Sequence, residues 1–524
     1  MSVSIDIVPL AASLDMYGEP DKSSAFSLSG HVSIALNSSY SVFERRRPAR
    51  ILLESVLLTF DGQTEVITTS LGYSPLRLCT ISREMAPYPP IELSNEGHED
   101  TNEPCRWNVV FDLPIPGWLP ASHDFAPGDL GASTQYFLHA QVKFIVVEDH
   151  STSSWSFTTL CSPFRSRTQT LETFTSIALR RFIEPPTDEP APPRFINYLL
   201  SPPPQPAKKD LHIPSEILSK IQVLASVSKY VDVCEGHLPF ILRLRTKDLE
   251  DADCKRLQVS SFKVDVVQEE KCRRIFETQF SEFESRHPIP SKAMQPPHRP
   301  LFSAHHLSDM YQLGLYVAPA SSANSMVCIT SLLPPGEPGV YHLSGDNHVF
   351  AEDAVKDAET WYTMETSIPF TQSLPNYDEV SAEWAGALKV RPSSTGPLYD
   401  VAHSLKLTVH CTYDIPDSEQ VASAHLTFCI PFTFGRVAPP LPSRDILPAL
   451  FHSMRLPDGA YPPLPPLLPF GANLPAYSQL FDSQGNRKMD ATPLPLYTPR
   501  SSSDSLVDLP PSDEKQDELD ATTL

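Results

Sequence analysis

The stretch Val401–Tyr413 reads VAHSLKLTVHCTY. Val401, Leu405, Leu407, Val409, Cys411 and Tyr413 fall on one side of a two-residue period, and Lys406, Thr408, His410 and Thr412 fall on the other. Side chains alternate across a strand, so this pattern predicts a strand with one buried and one wet face. The same alternation recurs along the chain. Phe26, Leu28, Val32, Ile34 and Leu36 share a face in FSLSGHVSIAL, with Gly30 where a strand can bend or bulge. Tyr136, Leu138, Ala140, Val142, Phe144 and Val146 share one in YFLHAQVKFIV. Shorter copies are Trp107–Leu113, Phe240–Leu244 and Leu426–Phe432. Antiparallel sheets packed face to face bury such runs, which predicts an all-β chain.

Composition sets the organisation. At 524 residues there is room for two or three domains. The 55 prolines, roughly twice average usage, argue against long helices and for turns and connectors. PPTDEPAPPRFINYLLSPPPQP (Pro185–Pro206) marks a boundary. The predicted layout is a first sandwich over 1–184, a connector over 185–210, a second sandwich with long inserts over 211–437, and a disordered proline-rich acidic tail over 438–524. One insert is SRHPIPSKAMQPPHRP (Ser285–Pro300), and much of Leu332–Pro397 is another.

Charge and chemistry narrow the function. A formal net charge of −22 repels polyanions and argues against nucleic-acid binding. ERRRPAR (Glu44–Arg50) is a local exception: Arg45, Arg46, Arg47 and Arg50 form either a solvated loop or a contact with an anionic membrane. Nine scattered cysteines without a CxxC pair, and no signal-peptide pattern at the N-terminus, predict a cytoplasmic protein. GxSxG, HExxH and GxxxxGK[ST] are absent from the sequence, and the histidines are dispersed, with His403 on the apolar face of its strand. The sequence therefore predicts no catalytic, cofactor or metal site. SVSK (Ser226–Lys229) lies in a strand pattern, where an SxxK pair cannot stand one helical turn apart. PPQPAKK (Pro203–Lys209) has the spacing of an SH3 ligand; as the connector between domains it reads rather as a stiff spacer.

In this order the runs resemble the arrestin fold, and specifically the alpha-arrestins, the arrestin-related trafficking adaptors. The resemblance is carried by AFSLSGHVSIAL, by ARILLESVLLTFDGQTEV with its Phe60-Asp61-Gly62, and by WNVVFDLPIPGWLPASH followed by GASTQYFLHAQVKF. GPLYDVAHSLKLTVHC and AHLTFCIPFTFG resemble the closing strands. The family resemblance implies two tandem arrestin-like immunoglobulin-type β-sandwiches and no catalysis. It also implies Pro-Pro-x-Tyr or Leu-Pro-x-Tyr motifs read by the WW domains of HECT-type ubiquitin ligases. Such adaptors bring the ligase to the cytoplasmic segments of membrane transporters or receptors, with peripheral recruitment to plasma membrane or endosomes.

The tail supplies matching chemistry. Leu474-Pro475-Ala-Tyr477 and Leu494-Pro495-Leu-Tyr497 stand twenty residues apart, and Leu374-Pro375-Asn-Tyr377 lies in an insert. Proline pre-sets φ for the polyproline II form that a WW groove takes, and a tyrosine two residues on offers a flat ring with a polar tip. The competing reading is an arrestin-fold trafficking or signalling scaffold that recruits no ligase.

Overall fold

The structure is a computed structural model. It describes residues 2–37, 48–68, 71–98, 104–125, 131–147, 168–185, 194–201, 213–274, 288–290, 299–302, 305–315, 325–343, 347–351, 361–372, 390–416 and 420–438, with the backbone of Leu494–Pro495.

Two β-sandwiches follow one another. In the first, a small sheet holds β1 (Ser2–Pro9), β3 (Ser24–Asn37) and β7 (Cys105–Pro116). Its large sheet runs β2 (Ser13–Tyr17), β10 (Thr168–Phe182), β9 (Gly131–Val146), β4 (Arg50–Thr68), β5 (Gly72–Glu84), with β6 (Ile91–Ser94) and β8 (His123–Asp124) attached to β4 and β9. In the second, β11 (Phe195–Leu200), β12 (Ile221–Ser228), β14 (His237–Thr246) and β18 (Tyr362–Pro369) form the small sheet. The large one runs β13 (Tyr230–Asp232), β20 (Val421–Gly435), β19 (Tyr399–Asp414), β15 (Leu257–Arg273), β16 (Ser325–Ser331), with β17 (Val340–His342) also on β15. Helices are short: α1 (Ser215–Ser219), α2 (Asp251–Arg256) and α3 (His306–Gln312).

One plan is used twice. In each sandwich an early strand pairs antiparallel in the small sheet (β1 with β3, β12 with β14). The next short strand crosses over and runs parallel to the last strand (β2 along β10, β13 along β20). A long strand then centres the large sheet between antiparallel neighbours (β4 between β5 and β9, β15 between β16 and β19). Crossing between sheets lets one segment close both edges of the core, which limits exposed strand edges.

The alternating faces are buried as predicted. Val32, Ile34, Leu36, Leu138 and Val142 are fully buried in the first core, and Leu405, Leu407, Val409 and Cys411 in the second. Cys429 faces outward on β20, one position off the buried Phe428 and Ile430. Its thiol is exposed.

Two expectations change. The connector is not continuous: Phe195–Leu200 inside the proline-rich boundary forms β11 and pairs with β12. Those six residues contain no proline, so the ladder survives between proline-bearing flanks. Gly30 does not bulge β3: its register to β7 runs through Gly30 without a shift, and its pairing with β1 ends there. Its role is close approach. A Cβ there would meet the Val8 carbonyl oxygen at 2.6 Å, Pro9 Cα at 2.7 Å and Phe111 Cζ at 2.7 Å. Two of these atoms are backbone, so relief requires β1 to move. Gly30→Val is expected to destabilise the first sandwich by about 2–3 kcal/mol. Gly236→Ala, where nothing lies within 4 Å, should leave the urea midpoint nearly unchanged. Equal midpoints for the two variants would refute this account.

Candidate functional site

Among the described residues, the tail meets the fold at Leu494–Pro495. Leu494–Pro495 forms β21, antiparallel to β3, with Leu494 opposite Ala25 and Pro495 opposite Ser24. On that side β1 ends at the Pro9–Gly30 pair, so the start of β3 is an open edge to which an extended segment can add. Leu474, Pro475, Tyr477, Tyr497, Leu374, Pro375, Tyr377, Arg45, Arg46 and Arg47 lie outside the described residues. Arg50 lies within them: its Nη2 is 2.8 Å from Glu96 Oε2, and its Nε is 3.8 Å from Glu92 Oε1.

The densest polar constellation sits where the sandwiches meet. Cys272, Ile289, Leu398, Tyr399 and Val401, all from the second half of the chain, pack into the core of the first sandwich. Beside them Arg391 and Glu270 form a buried ion pair, Nη1 to Oε2 2.6 Å, with side chains 7% and 3% exposed. Tyr399 donates its hydroxyl to the same oxygen at 2.8 Å and accepts from Arg391 Nη1 at 2.6 Å. Gln268 completes the frame: its amide donates to Glu270 Oε1 at 2.7 Å, and its Oε1 accepts from the Arg391 backbone N–H at 3.0 Å.

Two histidines at this junction, His403 buried and His123 half-buried, have lowered pKa values. His403 lies 3.1 Å from Gln268 Oε1 through Nε2 and 2.8 Å from Ser393 Oγ through Nδ1. Burial pushes its pKa down to about 3. It is a hydrogen-bonded core residue, as its position on the apolar face of the strand suggested. On the facing sandwich, His123 stacks on Phe125 with ring centroids 4.6 Å apart, and burial lowers its pKa to about 4, aided by the Arg391 charge. The Arg391 guanidinium in turn lies 3.9 Å from the centre of the Phe125 ring. The hydrogen bonds of the Arg391–Glu270 constellation lie within the second half of the chain; the contacts that cross to the first sandwich are Arg391 and Tyr399 against the Phe125 and His123 rings. Sequence reading missed Gln268, Glu270, Arg391 and Tyr399. The available signal was two polar residues continuing the inward register of Val264 and Val266 on β15.

A second junction comes from an insert. Residues 299–302 and α3 follow β15 in sequence yet pack on the first sandwich. Glu65 on β4 is fully buried and accepts from the backbone N–H of Leu301 at 3.0 Å and of Phe302 at 3.4 Å. Gln63 donates its side-chain amide to the Arg299 carbonyl. The Tyr311 ring of α3 meets Tyr73 of β5 edge-on at 5.4 Å. Ser308 ties the turn together, donating to the carbonyls of Phe302 and His305. We call residues 299–312 the strap.

Burial raises the Glu65 pKa to about 7, against the lowering effect of the two strap amides. The folded state therefore binds the proton more tightly than the unfolded chain. Stability from this group is full below the ordinary carboxylate range and is lost as pH rises through about 7. Tyr73, Tyr311 and Arg299 are the other ionisable groups around it. Glu65→Gln mimics the protonated form, so the variant and the wild type should melt together near pH 4, below the ordinary carboxylate value. At pH 8 the variant should melt higher. A constant difference across that range would show that Glu65 does not titrate there.

Among the described residues no group of three or more His, Cys, Asp or Glu side chains could hold a metal ion, and no helix is long and apolar enough to cross a membrane. No protein-family model and no curated protein sequence matches this chain.

Proposed function

We propose that this chain is an adaptor in the manner of the alpha-arrestins: its paired sandwiches hold the cytoplasmic segment of a membrane transporter or receptor, and its tail recruits a WW-bearing HECT-type ubiquitin ligase. The observation that carries this reading is the pairing of two sandwiches built on one plan with a tail holding two Leu-Pro-x-Tyr motifs. Packing of Tyr399 and Arg391 against the first sandwich and a strap bonded to Glu65 hold the sandwiches together, which suits a platform that presents surfaces. Ubiquitination and endocytosis of the cargo follow in this reading from proximity to the ligase, and Arg45, Arg46 and Arg47 are its candidates for an anionic membrane.

The scaffold reading, in which no ligase is recruited, draws on one observation: Leu494–Pro495 is engaged by β3. A WW groove and the β3 edge cannot hold the same backbone together. Capture of the full chain by a tandem WW array decides between the two. Loss of capture when Tyr477 and Tyr497 are both replaced by Ala supports the adaptor; capture indifferent to both replacements supports the scaffold.

A further inference from the structure

The outer face of the first sandwich carries a groove of about 400 Å³ on β10, β9 and β4. Register explains its lining. Phe174 stands opposite His139, Glu172 opposite Gln141 and Asp61 opposite Phe137, while the alternate residues Phe60, Leu138 and Ala140 fill the core. Phe174 stays 45% exposed, a large apolar ring on a polar face. Two carboxylates flank it. Glu172 accepts from the Gln141 amide at 2.7 Å, and Asp61 Oδ2 lies 3.9 Å from His139 Nε2. The other Asp61 oxygen, Oδ1, is buried without a hydrogen-bond partner.

Among the described residues, one side chain from outside this sheet enters the groove. Arg299 of the strap places its guanidinium carbon 3.2 Å from the Phe174 ring centre. The neighbouring strap contacts are made by backbone: the Arg299 carbonyl to Gln63, and the Leu301 and Phe302 amides to Glu65. Backbone contacts hold an extended segment whatever its sequence; Arg299 supplies the side-chain element. A planar cation over an aromatic face, with carboxylates beside it, is a recognition arrangement for arginine. The buried, unpaired Asp61 oxygen is a further acceptor for a cationic donor.

We propose that this groove docks an arginine-bearing extended segment of a partner protein, and that Arg299 occupies it as a built-in placeholder. A ligand segment displaces Arg299, sets its own guanidinium on Phe174 and offers a donor to Asp61. The chain's net charge of −22 favours approach of such a basic segment. That the partner is membrane cargo rests on the adaptor reading; the groove's preference for arginine does not.

The test uses the full chain and, as probe, a fluorescein-labelled peptide of the strap sequence Pro297–Ser303 read by anisotropy. Two variants open the groove: Arg299→Ala, and replacement of residues 299–302 by Gly-Ser-Gly-Ser. Each is expected to bind the peptide at least tenfold more tightly than the wild type. A peptide with alanine in place of arginine should lose that gain, as should adding Phe174→Ala or Glu172→Lys to either variant. If the linker variant fails to fold, Arg299→Ala decides alone. No gain over wild type, or a gain indifferent to the peptide's arginine or to Phe174, overturns the proposal. Capture by WW domains, measured on the same samples, reads the tail separately. Peptide failure with WW capture intact removes the groove alone, and the reverse removes the ligase reading alone.

Discussion

Arg391→Met is expected to lower the stability of the chain by about 3–5 kcal/mol, the largest loss for any single substitution considered. The cost comes less from the lost attraction than from what remains. Glu270 is 3% exposed and would keep a buried carboxylate that has lost the Arg391 cation. Arg391→Lys should fall between, because an ammonium lacks the planar fork that stacks on Phe125 while bonding Glu270 and Tyr399. Glu270→Leu combined with Arg391→Met should recover part of the loss, since removing both charges of a buried pair costs less than removing one. Recovery is partial because Tyr399 and Gln268 then lose an acceptor.

The effect should cross the domain boundary. Tyr399 and Val401 belong to β19 of the second sandwich yet pack in the first core, and Phe125 belongs to the first. Buried Trp118 reports on the first sandwich and Trp361, under the Arg245 guanidinium, on the second. Of the five tryptophans, keeping Trp118 or Trp361 alone, with the other four replaced by Phe, isolates each reporter. Arg391→Met should lower the urea midpoint seen by both. A fall confined to Trp361 would mean that the polar junction stabilises its own sandwich and does not join the two.

How much of this was legible in the sequence follows from the range of each interaction. The period-two pattern is local, and it placed the buried faces of β3, β9, β14, β19 and β20 because water and core select alternate residues on one strand. Pairing across the chain leaves no such trace. Arg391 and Glu270 are 121 positions apart, and Glu65 and Leu301 are 236 apart. Each polar residue alone reads as ordinary surface. Gln268 and Glu270 were detectable only as violations, polar side chains in an inward register. The strap was hidden for another reason. Its segment was read as an insert of the second domain from sequence position alone, whereas its backbone amides answer a buried carboxylate of the first. The two short strands β2 and β13 also escaped notice, since five and three residues cannot display a period.

Replacing both Tyr477 and Tyr497 by Ala is expected to abolish measurable capture by a tandem WW array, and the size of each single effect depends on geometry. The motifs stand twenty residues apart, a flexible span of roughly 25 Å by coil statistics. Tethering at that distance gives the second motif an effective concentration on the order of millimolar, which raises avidity by about 10²–10⁴ over one motif alone. Losing either tyrosine removes that factor, so on an isolated tail the two single variants should weaken binding alike, by at least about a hundredfold. In the full chain they should differ. Leu494–Pro495 is paired with Ser24 and Ala25, so the second motif must leave β3 before a WW groove can take it. Tyr477→Ala leaves only that restrained motif and should cost more than Tyr497→Ala. If the single variants are equal in the full chain as well, the β3 edge does not compete. If the double variant is captured as tightly as the wild type, these tyrosines do not carry the interaction, and the ligase reading fails with them.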